Sequence, residues 1–75
     1  MPRTWTHKVV KKSRGMQGEW FSHRAALTGT LAECERYAEQ FRDEQVAVLG
    51  RTDGHRIVVV ARKGNAVAKT YRYAN

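Results

Sequence analysis

Acid–base or nucleophilic chemistry in this 75-residue sequence would fall to three histidines, one cysteine and seven carboxylates. His7, His23 and His55 are scattered along the chain. None has a carboxylate or a second histidine at the spacing of a metal site. Cys34 falls in an apolar helical stripe, where a thiol is an inert packing residue. His55, next to Asp53-Gly54, is expected at an exposed hairpin tip. Five of the carboxylates crowd between Leu31 and Gln45, on what should be a solvated helix face, so no acidic pair suits hydrolysis. The glycines punctuate turns and form no phosphate-cradling loop. The expectation is a protein with no catalytic machinery, metal or cofactor.

The basic and aromatic residues point elsewhere. Lys8, Lys11, Lys12, Arg14 and Arg24 cluster in the first part of the chain, Arg51, Arg56, Arg62 and Lys63 in a central part, and Lys69 and Arg72 near its end. Long basic side chains on a sheet can follow a phosphate backbone, and rings among them can stack on bases. Trp5, Trp20, Tyr71 and Tyr73 are the rings in question, with core packing the competing use for Trp20 and Tyr71. Tyr71 is counted with the basic residues as a binding candidate.

Fourteen Lys and Arg against seven Asp and Glu give a net charge of +7. From Leu31 to Gln45, Glu33, Glu35, Glu39, Asp43 and Glu44 outweigh Arg36 and Arg42, for −3. The remainder holds twelve bases against Glu19 and Asp53, for +10. Solubility alone does not require such segregation, whereas a polarised field attracts phosphate or acidic partners. Hydrophobic residues make up 41%, which is ordinary for a folded domain, and the length allows one small core.

Residues 1–75 therefore read as a single small α+β domain: one helix packed on a curled antiparallel sheet of about five strands, in the order ββαβββ. Thr30-Leu31-Ala32-Glu33 is a capping box that starts the helix. Leu31, Cys34, Ala38 and Phe41, with Tyr37 beside them, form its buried stripe. The helix is expected to fade near Glu44-Gln45. Strands are expected at Trp5–Lys12 and Glu19–Ala26 around a polar Ser13–Gly18 loop. Two more, at Val46–Arg51 and Arg56–Arg62, would flank an Asp53-Gly54 turn of the two-residue type, with Leu49 facing Val58 and Arg51 facing Arg56. A last strand, Ala66–Tyr73, follows Lys63-Gly64-Asn65. A two-residue turn there sets Tyr71 opposite Val58, on the arginine-rimmed face; a three-residue loop sets it opposite Ile57, in the core.

Ile57-Val58-Val59-Val60-Ala61 is apolar at five successive positions, so both faces of that strand need cover, and one helix covers only one. Either the sheet curls so that the N-terminal hairpin folds over the second face, or that face meets a partner or a second copy of the chain as a homodimer.

The ββαβββ order, the length, the capped helix after the first hairpin and the Thr52-Asp53-Gly54 and Lys63-Gly64-Asn65 turns together resemble small phage-encoded anti-CRISPR proteins. One such family carries a single helix on a short five-stranded antiparallel sheet. The resemblance implies a stoichiometric inhibitor docked on a CRISPR surveillance complex, where basic residues occupy or redirect the path of target DNA. It transfers no individual residue. The competing expectations are a stand-alone DNA- or RNA-binding protein and a small ribonuclease-like toxin. The last would need a histidine in a cleft beside a second acid or base. The partner is expected to be nucleic acid or a nucleic-acid-bound protein complex, not a membrane, since no apolar run approaches the ~20 residues of a span. Met1 to Trp5 has no apolar signal segment, and the single cysteine suits a reducing compartment. The expected location is the cytoplasm, that of the host cell for a phage-encoded protein.

Overall fold

The computed structural model describes residues 5–64 and 66–74. Asn65 of the last turn and Met1–Thr4 of the N-terminal segment lie outside the described residues. The elements run β1 His7–Arg14, β2 Trp20–Gly29, α1 Leu31–Leu49, β3 His55–Ala61 and β4 Val67–Arg72. The fold is α+β, with one helix on a four-stranded antiparallel sheet ordered β2-β1-β3-β4.

Helix α1 begins where the capping box requires. Thr30 Oγ1 accepts from the Glu33 N–H at 3.2 Å, and Glu33 Oε1 accepts from the Thr30 N–H at 3.1 Å. Its end departs from expectation. The helix runs four residues past Gln45, through Val46, Ala47, Val48 and Leu49, so the expected fifth strand does not exist among the described residues. β-Branched residues cost only a fraction of a kcal/mol each in a helix, roughly 0.7 at most, and Ala47 and Leu49 are strong helix formers. Val46 is repaid by packing on the core beside Phe41. Gly50, at φ 85°, then stops the helix, its N–H donating to the Val46 carbonyl at 2.8 Å. Asp53-Gly54 therefore lies in the loop that returns the chain to β3, and Val48 and Leu49 face solvent instead of pairing with β3.

The topology explains why the helix is needed. Strands β2 and β3 both pair antiparallel with β1, so they run in the same direction and only a long crossover can join them. β1 sits between them, inside the sheet. The N-terminal hairpin is thus part of the one sheet, with β2 at its edge. The hairpin strands end two and three residues later than expected, and β1 pairs with β2 through two register shifts.

Between α1 and the sheet, Cys34 and Ala38 of the helix pack with Val9, Ile57, Val59, Tyr71 and Tyr73, and Leu27, Phe41 and Val46 pack against this cluster. Fully burying a side chain of the Val or Ile class stabilises by about 1.5–3 kcal/mol, so this layer supplies most of the fold's apolar driving force. Leu31 and Tyr37, expected on the stripe, are 38% and 37% exposed, which narrows the stripe to Cys34, Ala38 and Phe41. The last hairpin adopts the register with Tyr71 opposite Ile57, helped by a shift between Val59 and Val60. Tyr71 is therefore a core residue, and its hydroxyl donates to the Glu35 carbonyl at 3.2 Å. No helix among the described residues is long and apolar enough to cross a membrane.

Candidate nucleic-acid interface

The face of the sheet turned away from α1 is fixed by strand alternation. Val10 pairs with Val58, so Lys8, Val10, Lys12 and Arg14 of β1 share a side with Arg56, Val58 and Val60 of β3. The pairings Val58↔Thr70 and Arg56↔Arg72 bring in β4, and Lys12↔Ser22 and Arg14↔Trp20 bring in β2. The open side thus presents five bases (Lys8, Lys12, Arg14, Arg56 and Arg72), one tryptophan, and no carboxylate at any paired position. Glu19 and Asp53 precede their strands, and the other acids belong to α1 and its N-terminus.

The arginines are arranged with rings. The Arg56 guanidinium lies 3.7 Å from the centre of the Trp20 ring, and that of Arg14 lies 5.9 Å from it. Stacking of this kind holds a guanidinium in place without neutralising it. None of Arg14, Arg56 or Arg72 forms an ion pair with a described residue, and the buried Arg56 Nε has no hydrogen-bond partner. Just beyond β3, the Arg62 guanidinium sits 4.7 Å from the Trp5 ring centre, a second Arg–Trp pair.

Other expected site residues are elsewhere. Lys11 is on the helix side, its Nζ donating to Gln45 Oε1 at 3.1 Å. Lys69 pairs with Val59, also on the helix side, and its Nζ is 5.3 Å from the Tyr71 ring centre. Arg24 stands in the irregular stretch of β2 where the pairing steps from Ala25 to Ser22. Arg51 follows the C-terminus of α1 and borders Arg42 and Asp43. Lys63 is exposed in the β3–β4 turn. Tyr71, buried in the core, does not reach the open side. The sequence pattern identifies basic residues on strands but mixes the two sides, because a one-residue change in register reverses a strand's faces.

One grouping carries no signal in the sequence. Ser13 Oγ lies 2.8 Å from His23 Nε2 and 3.3 Å from His55 Nδ1, so two of the three histidines meet across one hydroxyl. They come from β2 and β3, which flank β1, and sequence order does not reveal that β1 lies between them. His55 also stacks on Tyr73, with ring centres 5.4 Å apart. Burial, and then the charge on Lys11 and the neighbouring His23, lower the His55 pKa below the usual histidine value. His55 also borders a cavity of about 240 Å³ at the end of the sheet, lined by Thr52, Asp53, Arg14, Arg56 and Arg72 as well.

The thiol of Cys34 is buried and its pKa is raised, chiefly by desolvation and secondly by Glu33, against a lowering hydrogen bond from the Gly29 backbone. Such a thiol is a poor nucleophile at neutral pH. Among the described residues, no three His, Cys, Asp or Glu side chains gather as metal ligands would. Comparison with protein-family models, with curated proteins and with solved structures finds no match for this chain.

Proposed function

We propose that the protein binds nucleic acid through the sheet face that α1 leaves open, holding phosphates with Lys8, Lys12, Arg14, Arg56 and Arg72. The observation that carries this reading is the sorting of charge by face: five bases with no carboxylate among them on one side, and the acidic helix on the other. Each phosphate neutralised by Lys or Arg releases condensed counterions, and that release drives association. Carboxylates on Glu35, Glu39 and Asp43, on the opposite side of the molecule, stay clear of the polyanion. A second copy of the chain fits this face less well. A symmetric contact would bring arginines against arginines, and like charges placed together cost several kcal/mol.

Inhibition of a nucleic-acid-handling complex, the role the resemblance implies, would use the same basic face. The five-stranded sheet behind that resemblance is reduced here to four strands, so direct binding is the reading preferred. Capture from a bacterial lysate with and without nuclease separates them. A partner that vanishes with nuclease favours direct binding, and one that survives it favours the inhibitor.

Salt titration against a mixed-sequence oligonucleotide tests the face itself. Reversing Lys8, Lys12, Arg14 and Arg72 to Glu, singly and then together, should weaken binding stepwise. The log–log salt slope should fall by roughly one unit for each phosphate that is no longer neutralised. Reversing Glu35, Glu39 and Asp43 to Lys should leave binding unchanged or slightly tighter. Loss of binding in the helix set with retention in the sheet set would reverse the assignment of the interface.

A further inference from the structure

The cavity at the end of the sheet has a composition that the rest of the open face lacks. Arg14 closes β1, Arg72 closes β4, and His55 and Arg56 open β3, so the ends of three strands meet around one concavity of about 240 Å³. Three guanidinium groups line it with one carboxylate, that of Asp53. With His55 neutral, the lining carries a net charge of +2. A phosphodiester brings one negative charge, whereas a phosphate monoester brings about −1.5 to −2 at pH 7. The match is to the monoester.

We infer that this cavity is a seat for the terminal phosphate monoester of a nucleic-acid strand lying on the open face; the inference rests on that face being the binding surface. Three features beyond charge support it. Arg56 is held in place by the Trp20 ring at 3.7 Å and forms no ion pair with a described residue, so its guanidinium stands beside the cavity with its charge available to an anion. The seat is built at strand termini, where a chain tracking Lys8, Lys12 and Arg14 along β1 runs off the sheet. The third feature is the Ser13 relay. His55 Nδ1 is taken by Ser13, and Nε2 has no described partner. If His23 Nε2–H donates to Ser13 Oγ and the Ser13 hydroxyl donates to His55 Nδ1, neutral His55 carries its proton on Nε2. There it can donate to a phosphate oxygen. The two hydrogen bonds on Ser13 admit this direction or its reverse, and an anion in the cavity selects it.

The test compares three forms of one fluorescently labelled single strand roughly 12 nucleotides long. One carries a 5′-phosphate, one a 3′-phosphate, and one hydroxyls at both ends. The wild-type protein should bind one phosphorylated form about tenfold more tightly than the hydroxyl form, the scale of one additional charge-assisted contact. Millimolar inorganic phosphate should erase that advantage and leave hydroxyl-strand binding nearly intact. Asp53→Asn, which removes the one anion lining the cavity and alters no residue of the face, should enlarge the advantage. Arg72→Gln should shrink it more than it weakens the hydroxyl strand. Equal affinity for all three strands, in the wild type and in Asp53→Asn, would overturn the seat while leaving the open face as the binding surface. Binding of inorganic phosphate with no affinity for any strand would overturn the terminal-phosphate inference and the nucleic-acid reading together, and would leave a free-phosphate site.

Discussion

On one side of β3, Ile57 and Val59 lie under α1 and have no exposure at all; on the other, Val58 and Val60 form a second cluster with Val10, and only 3% and 5% of their surface reaches solvent. The same strand is buried by two different means. The helix seals its side with a second layer of apolar residues. The open side buries a smaller cluster beside a cavity lined by Lys8, Val10, Lys12, Ser22, His23 and Val60. Arg56 precedes Val58 on the strand, Val10 and Thr70 sit across from it, and Lys8 and Lys12 flank Val10. Arg and Lys stems cover apolar surface while their charged ends remain in water. One side is therefore specified by shape, and the other by long, adaptable side chains whose charges stay available. A partner that engages those charges leaves the valines covered, so binding on this side need not compete with folding.

The neighbouring valines offer the sharpest test of that difference, because the two substitutions are chemically identical. Val59→Ala should cost about 2–3 kcal/mol, since the helix and sheet layers cannot close on the cavity left behind. Val58→Ala should cost about 1.5 kcal/mol, close to the transfer of two methyl groups alone, because the flanking stems can settle into the space. At about 4–8 °C per kcal/mol for a domain of this size, thermal unfolding resolves the gap. Equal losses would mean that the open side is packed as rigidly as the helix side.

Phe41→Ala probes the edge of the sealed side. The ring is half-buried, packing on the core and tilted against Tyr37 with ring centres 5.7 Å apart. Its loss should fall below the about 3–5 kcal/mol of a fully buried Phe. Denaturant unfolding measures this, and a loss in the full range would show that the stripe seals more completely than the exposure of Leu31 and Tyr37 implies.

What the sequence discloses and what it hides follow the same division. The capping box, the Cys34–Ala38–Phe41 stripe, the two-sided apolar run of β3 and the strands near both chain ends are legible because each is a local pattern. Val46–Leu49 misleads because β-branched residues before an Asp-Gly pair look like a hairpin arm. Tertiary packing of Val46 and the stop at Gly50 outweigh that weak propensity. The sidedness of Lys11 and Lys12, the burial of Tyr71 and the meeting of His23 with His55 at Ser13 depend on strand order and register, which are properties of the assembled sheet.

Lys11 and Lys12 turn that last point into a comparison between neighbours in sequence. Lys12 projects on the open side, while Lys11 is tied to Gln45 on the other. Lys12→Ala should weaken oligonucleotide binding and lower the salt slope by roughly one unit, whereas Lys11→Ala should leave the slope unchanged. Equal slopes for the two variants would show that strand alternation does not sort the binding residues.

The smallest expected effect is a pH dependence confined to the helix side. His55 stacks on Tyr73 and faces Ser13 and Lys11 of β1 and His23 of β2, with Arg14, Arg56, Arg72 and Asp53 around the adjoining cavity. Its pKa is lowered in the folded protein, so the unfolded chain takes up the proton first as the solution is acidified. By linkage, stability rises with pH wherever the unfolded state holds more protons. The contribution of His55 is therefore complete above its unfolded value near 6.5 and is lost as pH falls through the lower folded value. Denaturant midpoints measured at about pH 7.5 and about pH 5, a window above most carboxylate titrations, should fall on acidification. His55→Gln should reduce that fall. Tyr73→Phe, which keeps the ring beneath the imidazole, should preserve it, because desolvation and the Lys11 charge are the causes and the tyrosine hydroxyl is not. An unchanged fall in His55→Gln would assign the acid sensitivity to another group and remove His55 from the account of how the helix side is held.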